Sequence, residues 1–379
     1  MANVDKRIQQ FLPLFVALAV CLVATAAIMM PRETIRIAPV WPANALVLSV
    51  LILSPRRRWL LLLAAGFLGN LGANLICGDH LVFGSLLAAA NLIEIVVAML
   101  VLGQRSGRRL NRRSSLLRFA LAALTACTFS ALMAWAALSI SGIDSVPREL
   151  IVWFGAHLPG LLMFTPLLLT ASLKRETRHA RRSVVPALAP MMLVIAVSVA
   201  VFSQSSLPFL FIPPAALTLL AIRSGFRMAA VGVLVVSLIG IVATHLGSGP
   251  ITLVRGDQIT QTVVLQVFIC TLAFISLTVG AAFAERRSLV DRLTLARIGR
   301  NRKLDRVHQL VDQARLAEQL SQVGYWKLDV RTGSVFWSPE VFRLHGVSPD
   351  EFDPGLDDAL AFYADEDRDR VASILTQNA

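Results

Sequence analysis

Ala284-Glu285-Arg286-Arg287-Ser288 is the point at which this chain changes character. Before it, long apolar runs follow one another with short arginine-bearing interruptions. After it, charges recur on every turn as far as Gln322. Of the 379 residues, 56% are hydrophobic and only 16% charged, whereas a soluble domain carries about a quarter charged residues. So little charge cannot solvate a globular surface of this size. Lipid is therefore the expected solvent of the first region.

A helix needs about 20 apolar residues to cross the hydrocarbon layer. Ten stretches qualify: 11–30, 37–54, 59–77, 81–103, 116–140, 149–173, 186–203, 207–222, 226–246 and 259–284. Two stand out as short or proline-bearing, 37–54 with Trp41-Pro42 and 207–222 with Pro208, Pro213 and Pro214. Either reads as a re-entrant or broken helix, so the expectation is an all-α polytopic bundle of eight to ten transmembrane helices. Residues 11–30 follow Lys6 and Arg7 as a signal peptide would. They lack a convincing cleavage site and read as a retained first span.

With ten spans and an inner N-terminus, 20 Lys and Arg fall in the inner segments, with clusters at 56–58, 105–118 and 174–182. Only Arg32, Arg36, Arg148 and Arg255 fall outside. Such a bias sets orientation and predicts a multi-pass bacterial inner-membrane protein with both termini in the cytoplasm. The net charge of +12 then belongs to topology and lipid headgroups, and no nucleic-acid partner is expected. Cys21, Cys77, Cys127 and Cys270 are far apart in sequence. They support neither a disulfide framework nor a metal site.

Beyond residue 284 the pattern predicts a cytoplasmic helix over 285–322. Leu304, Val307, Val311 and Ala314 form a short heptad-like stripe. It reads either as a solvated linker or as a dimerising signalling helix, in which case the chain is a homodimer. From Gly324 the period moves toward two. Residues 325–330 and 334–338 read as a hairpin around a turn at Gly333. Pro339 opens a helix with Ser338 as its cap, 349–352 is a helical turn, and a last helix begins at Asp365.

The order of several short motifs resembles the first class of bacterial membrane-associated sensor domains, the MASE family. They are Val40-Trp-Pro-Ala-Asn-Ala-Leu46, Ala90-Asn-Leu-Ile-Glu94, Trp153-Phe-Gly155 with Gly160 and Thr165-Pro-Leu167, Phe211-Ile-Pro-Pro214, Ala221-Ile-Arg-Ser-Gly-Phe-Arg227 and Gly247-Ser-Gly-Pro250. The family often carries an Asp near 155–160, where Ala156 and His157 stand here. The C-terminal segment resembles the first half of a PAS domain through Gly324, Trp326, Asp329, Thr332, Gly333, Trp337, Ser338 and Pro339, with Asp367 and Arg368 in a later run. The resemblance implies three parts: a sensor domain over 1–284, a signalling helix over 285–322 and an incomplete α+β PAS domain over 323–379. It further implies an output domain beyond Ala379, a diguanylate cyclase, a cyclic-di-GMP phosphodiesterase or a histidine kinase of a two-component system. No motif of those enzymes occurs in this sequence, nor does H-E-x-x-H or G-x-S-x-G.

Glu94 is the one acidic residue deep within a span, where a carboxyl costs a few kcal/mol, about 2.5–3.5 for Asp. Asn91 lies one turn earlier on the same face. The pair reads as hydrogen-bonded glue between helices or as a ligand, cation or proton-linked site. Asn70 and Asn74 repeat with Gly66 at i+4, a pattern that suits close helix packing. Trp41 and Asn44 flank a proline and either line a pocket or, for Trp41, sit in an interfacial belt. His157 reads as a buried neutral ring or as a pH- or ligand-responsive group. The expected cue is an unidentified small or membrane-borne molecule, and no cofactor is identified. A transporter with a regulatory tail is the competing reading.

Overall fold

The computed structural model describes residues 2–29, 39–140, 147–172, 185–329 and 331–377. Arg32, Arg36 and the 174–182 cluster of the orientation count therefore lie outside the described residues. The chain divides into two compact units, Met1–Leu289 and Val290–Ala379.

Unit one is helical. Its elements are α1 (Ala2–Met29), α2 (Ala43–Leu53), α3 (Trp59–Ile76), α4 (Leu81–Leu102), the single turn α5 (Gln104–Gly107), α6 (Arg113–Ile140), α7 (Pro147–Ser172), α8 (Val185–Phe202), α9 (Ile212–Ser224), α10 (Phe226–His245) and the first part of α11 (Gln258–Ser321). Seven of these are long and apolar enough to cross a membrane: α1, α3, α4, α6, α7, α10 and α11. Shorter apolar helices, α2, α8 and α9, occupy the other three expected spans.

Lipid tails are as apolar as leucine, so close packing rather than water exclusion holds such helices together. The buried face of α6 shows how. Ala122, Ala123, Ala126, Ser130, Ala131 and Ala134 are all small, and α4 lies along this helix. Helix α1 packs on α3, α2 on α7 and α8 on α9. Phe119, Leu161, Leu217 and Ile269 are buried in the main core, which Cys127 joins.

Both proline-marked spans are shortened helices whose C-termini are held by side chains. The last carbonyls of a helix lack intrahelical donors and attract cations. At the end of α2, Arg108 Nε donates to Ile52 O (3.0 Å) and its Nη2 to Leu53 O (3.1 Å). Gln104 Nε2 reaches Ile52 O and Ser54 O, and Trp59 Nε1 reaches Leu51 O. At the end of α9, Arg287 Nη2 donates to Ile222 O and Arg223 O, both at 2.8 Å.

The tenth span and the expected linker are one uninterrupted helix. α11 runs 64 residues, about 96 Å at 1.5 Å per residue. It contains no proline, and the change from apolar to charged side chains at Ala284 leaves the backbone pattern untouched.

In unit two, β1 (Trp326–Leu328) pairs antiparallel with β2 (Val335–Trp337), Trp326 facing Trp337. The strands are shorter than expected, and Val330 lies outside the described residues. The turn holds Gly333 at φ 70°, and Asp329 Oδ1 accepts from the N–H groups of Arg331 and Thr332. Helix α12 (Pro339–His345) begins on its proline. Ser338 stands at the N-cap position without capping through its side chain. Its hydroxyl instead accepts from Tyr325 N–H (3.1 Å), while its own N–H donates to Tyr325 O. Closing the hairpin has taken the oxygen that a cap would use. The turn at 349–352 is present as hydrogen bonds to Ser348 O. Helix α13 (Leu356–Leu360) was not expected, and α14 (Asp365–Gln377) was. One two-stranded sheet and three short helices do not make a complete PAS fold.

Candidate functional site

A non-helical strap, residues 39–42, leads into α2. Helix α2 has 11 residues, about 16 Å at 1.5 Å per residue. Such a helix covers only about half of a hydrocarbon layer of about 30 Å, which puts the strap inside the layer if α2 ends at its surface. Non-helical backbone at that depth must be satisfied by protein or water. Here protein does it. Trp41 N–H donates to Ala156 O of α7 (2.8 Å), and Gln266 Nε2 of α11 donates to Pro39 O (3.1 Å). Both contacts need glycine on α7. A Cβ on Gly160 would collide with the Trp41 carbonyl, and one on Gly155 with the Gln266 amide.

Against this strap the sequence places its deepest polar groups. Asn91 and Glu94 share a face of α4 at i+3, and Trp153 and His157 share a face of α7 at i+4. His157 Nδ1 lies 2.5 Å from Glu94 Oε2. A proton must lie on that line, because two bare lone pairs at this distance would repel. Asn44 Nδ2 donates to Asn91 Oδ1 (2.8 Å) and lies 3.5 Å from His157 Nδ1. The amide of Asn91 cannot be flipped without loss, since its Nδ2 donates to Leu87 O (3.2 Å). That fixes the orientation of Asn44 as well and turns its Oδ1 away from Asn91.

Trp41 and Trp153 both stack on the imidazole, with ring centres 5.6 and 4.6 Å away and planes within 18°. Trp153 Nε1 is anchored on Ser130 Oγ of α6 (3.1 Å). Glu94 is fully buried, as are Asn44, Asn91 and His157 to within 2%. Among the described residues, Glu94 Oε1, Asn44 Oδ1 and Trp41 Nε1 have no hydrogen-bond partner. A buried polar group without a partner costs about 1–3 kcal/mol. The cluster therefore holds two unused acceptors and one unused donor where water is scarce, and it can take a proton or a further polar group.

Trp41 with Asn44, Asn91 with Glu94, and His157, singled out in three separate stretches of the sequence, thus meet at one place. Asn70 and Asn74 do not join them. Asn70 Nδ2 donates to Gly66 O of its own helix (3.0 Å), and Asn74 Nδ2 ties α3 to Gly84 O of α4 (2.9 Å). Sequence reasoning missed Gln266 and Ser130, and it took Trp153 only as a motif residue. Gln266 carried a usable signal, an amide deep in an apolar span, the same irregularity that drew attention to Glu94.

In unit two, Trp337 is buried against Phe342, His345, Phe352 and Phe362. Trp326 is exposed at the limit of the strand. Gly324 lies against Val341. Arg368 donates to the α13 carbonyl of Leu360 and to Ala361 O just beyond it, and Asp367 pairs with Arg370 (2.8 Å). Pro339 serves only to open α12.

A family model, MASE1, matches residues 8–287, and no family match supports a PAS domain after it. No curated protein and no solved structure matches the chain.

Proposed function

This chain belongs to the MASE1 family, a membrane sensory input domain of signalling proteins, and from that premise we propose that the Glu94–His157 cluster is where the cue is registered. The observation that carries this is the buried carboxyl–imidazole contact at 2.5 Å beside acceptors that have no partner. A pair that shares one proton has states of different charge and hydrogen bonding. A cue that prefers one state shifts the balance between two packings, which is all that signalling requires.

The relay is proposed to run through α11. Gln266 on that helix holds the strap at Pro39, so a displaced strap acts on the same helix that continues to Ser321. Orientation by the arginine bias puts both termini in the cytoplasm of a bacterial inner membrane. The helix would then dimerise through the stripe at 304–314 and pass the change to a PAS-like segment and an output domain beyond it. The transporter reading loses its motive, since broken spans and a buried Glu are here features of a sensory family.

The test is a fusion of residues 1–322 to a diguanylate cyclase, with product measured in membranes across pH and added solutes. Glu94→Gln is expected to insert normally and to change the output. Unchanged output under all conditions would remove Glu94 from sensing, and an unregulated wild-type fusion would remove the relay.

A further inference from the structure

We propose that unit one contains a binding site for a single hydrocarbon chain of a membrane lipid, intercalated behind the surface that ordinary surrounding lipid touches. The site is a cavity of about 260 Å³ between α1 and α10, and its lining is almost wholly apolar. Ala26 and Ala27 form one wall, Leu234 and Leu238 the other, and Met163 and Phe164 of α7 stand at the back. Pro39, Val40 and Pro42 of the strap complete it.

Three observations favour hydrocarbon over water or a polar solute. First, the depth is right, since the strap lies about 16 Å from the arginine-held end of α2, about half of the apolar layer if that end is at its surface. Second, much of the strap's polarity is absent or already spent. Pro39 and Pro42 have no N–H to offer, Trp41 N–H is spent on Ala156 O, and Pro39 O is spent on Gln266. A buried water needs two to four polar partners, and this lining offers almost none. Third, the lining runs from an exposed side chain to a buried one: Leu238 is 53% exposed and Met163 is 2% exposed. The two alanines on α1 keep the gap open, because larger side chains there would close it.

The measurement is photolabelling of the full chain in nanodiscs of phosphatidylethanolamine and phosphatidylglycerol. A phospholipid with a diazirine near the end of one acyl chain serves as the probe, and adducts are mapped by peptide mass spectrometry. Adducts are expected on Met163, which is 2% exposed, as well as on outward residues such as Leu193 of α8, 43% exposed. Ala27→Phe should fill the cavity and lower the Met163 adducts about tenfold, the change produced by about 1.4 kcal/mol of lost binding, with Leu193 labelling unchanged. Ala26→Leu gives the same test by a smaller change, should Ala27→Phe not fold. Labelling of Leu193 without Met163 would overturn the proposal. So would adducts at the back that neither variant reduces.

Discussion

Helices α2 and α9 are built alike and hold different contents. Each is short, 11 and 13 residues. Each follows a proline-bearing approach, non-helical before α2 and a 3₁₀ turn over Phe209–Phe211 before α9, and each ends under an arginine that grips its last carbonyls, Arg108 for α2 and Arg287 for α9. At the start of α2 stand Asn44, Glu94, His157 and the two indoles. At the start of α9 stand Phe209, Leu210 and Phe211, with Phe209 and Phe211 edge to face at 6.0 Å. The shortened helix is thus a general way to end a span inside this bundle. What makes one of the two a candidate site is the chemistry placed at its mouth.

The largest effect should come from breaking that chemistry. Removing one member of a buried pair strands the other, at a cost of about 3–5 kcal/mol. Glu94→Leu or His157→Leu should lower the thermal stability of the detergent-solubilised protein by that order. Phe209→Leu, at the mouth of α9, keeps an apolar contact and should cost under about 1.5 kcal/mol. The double change Glu94→Leu with His157→Leu should recover much of the loss, because neither partner is left unpaired. Equal costs for Glu94→Leu and Phe209→Leu would erase the distinction between the two mouths.

That distinction was half legible in the sequence. Glu94 stood out because an acid at mid-span is costly, and Trp41-Pro42 stood out because proline breaks a span. Their meeting was not legible, since His157 lies 63 residues from Glu94 and no local pattern links them. The Gln266–Pro39 contact spans 227 residues and depends on Gly155 and Gly160, whose value is visible only once backbones approach. Hydropathy located an apolar helix at each of the ten stretches, seven of them long enough to cross a membrane. It could not say that the last would continue unbroken into the charged helix, because helices tolerate either kind of side chain when no proline intervenes.

A second contrast uses those glycines. Gly160→Ala inserts a methyl into the Trp41 carbonyl and should cost about 1–3 kcal/mol, the usual range for overpacking. It should also shift the Trp41 indole off His157, visible as altered tryptophan emission. The body of α9 meets a glycine through softer groups. At Gly232, the added methyl meets only the ends of the Leu217 and Leu220 side chains, which can turn aside. Gly232→Ala should therefore be the milder change.

The arginine grips should matter less and should matter equally. Arg287→Ala removes the side-chain donor of two helix-end carbonyls, and Arg108→Ala removes that of Leu53 O while Ile52 O keeps Gln104. A cation there contributes about 0.3–1 kcal/mol when exposed. Similar small losses in melting temperature are expected for both variants. A much larger loss at Arg287 would mark that grip as more than a cap, since it joins α9 to the helix that leaves unit one.

The smallest effect separates these grips from an arginine contact of another kind. Arg108 and Arg287 hold carbonyl oxygens, which do not titrate. In unit two, Arg343 holds the carboxylate of Glu340 through both Nε and Nη2. That hydrogen bond, helped by the guanidinium charge, keeps Glu340 below its ordinary value of 4.5. Its folded state thus binds a proton less readily than the unfolded chain does. The stabilisation is complete above the ordinary glutamate range and is lost as pH falls through the lowered folded value. Arg343 is more than half exposed, so water screens the pair and the effect is small. Acidification below about pH 4 should loosen α12 and expose Trp337, read as a red shift of its emission, and Glu340→Gln should flatten the part of that response due to this pair. The grips on α2 and α9 should show no change over the same range, because an arginine on a backbone carbonyl has no proton to lose or gain there.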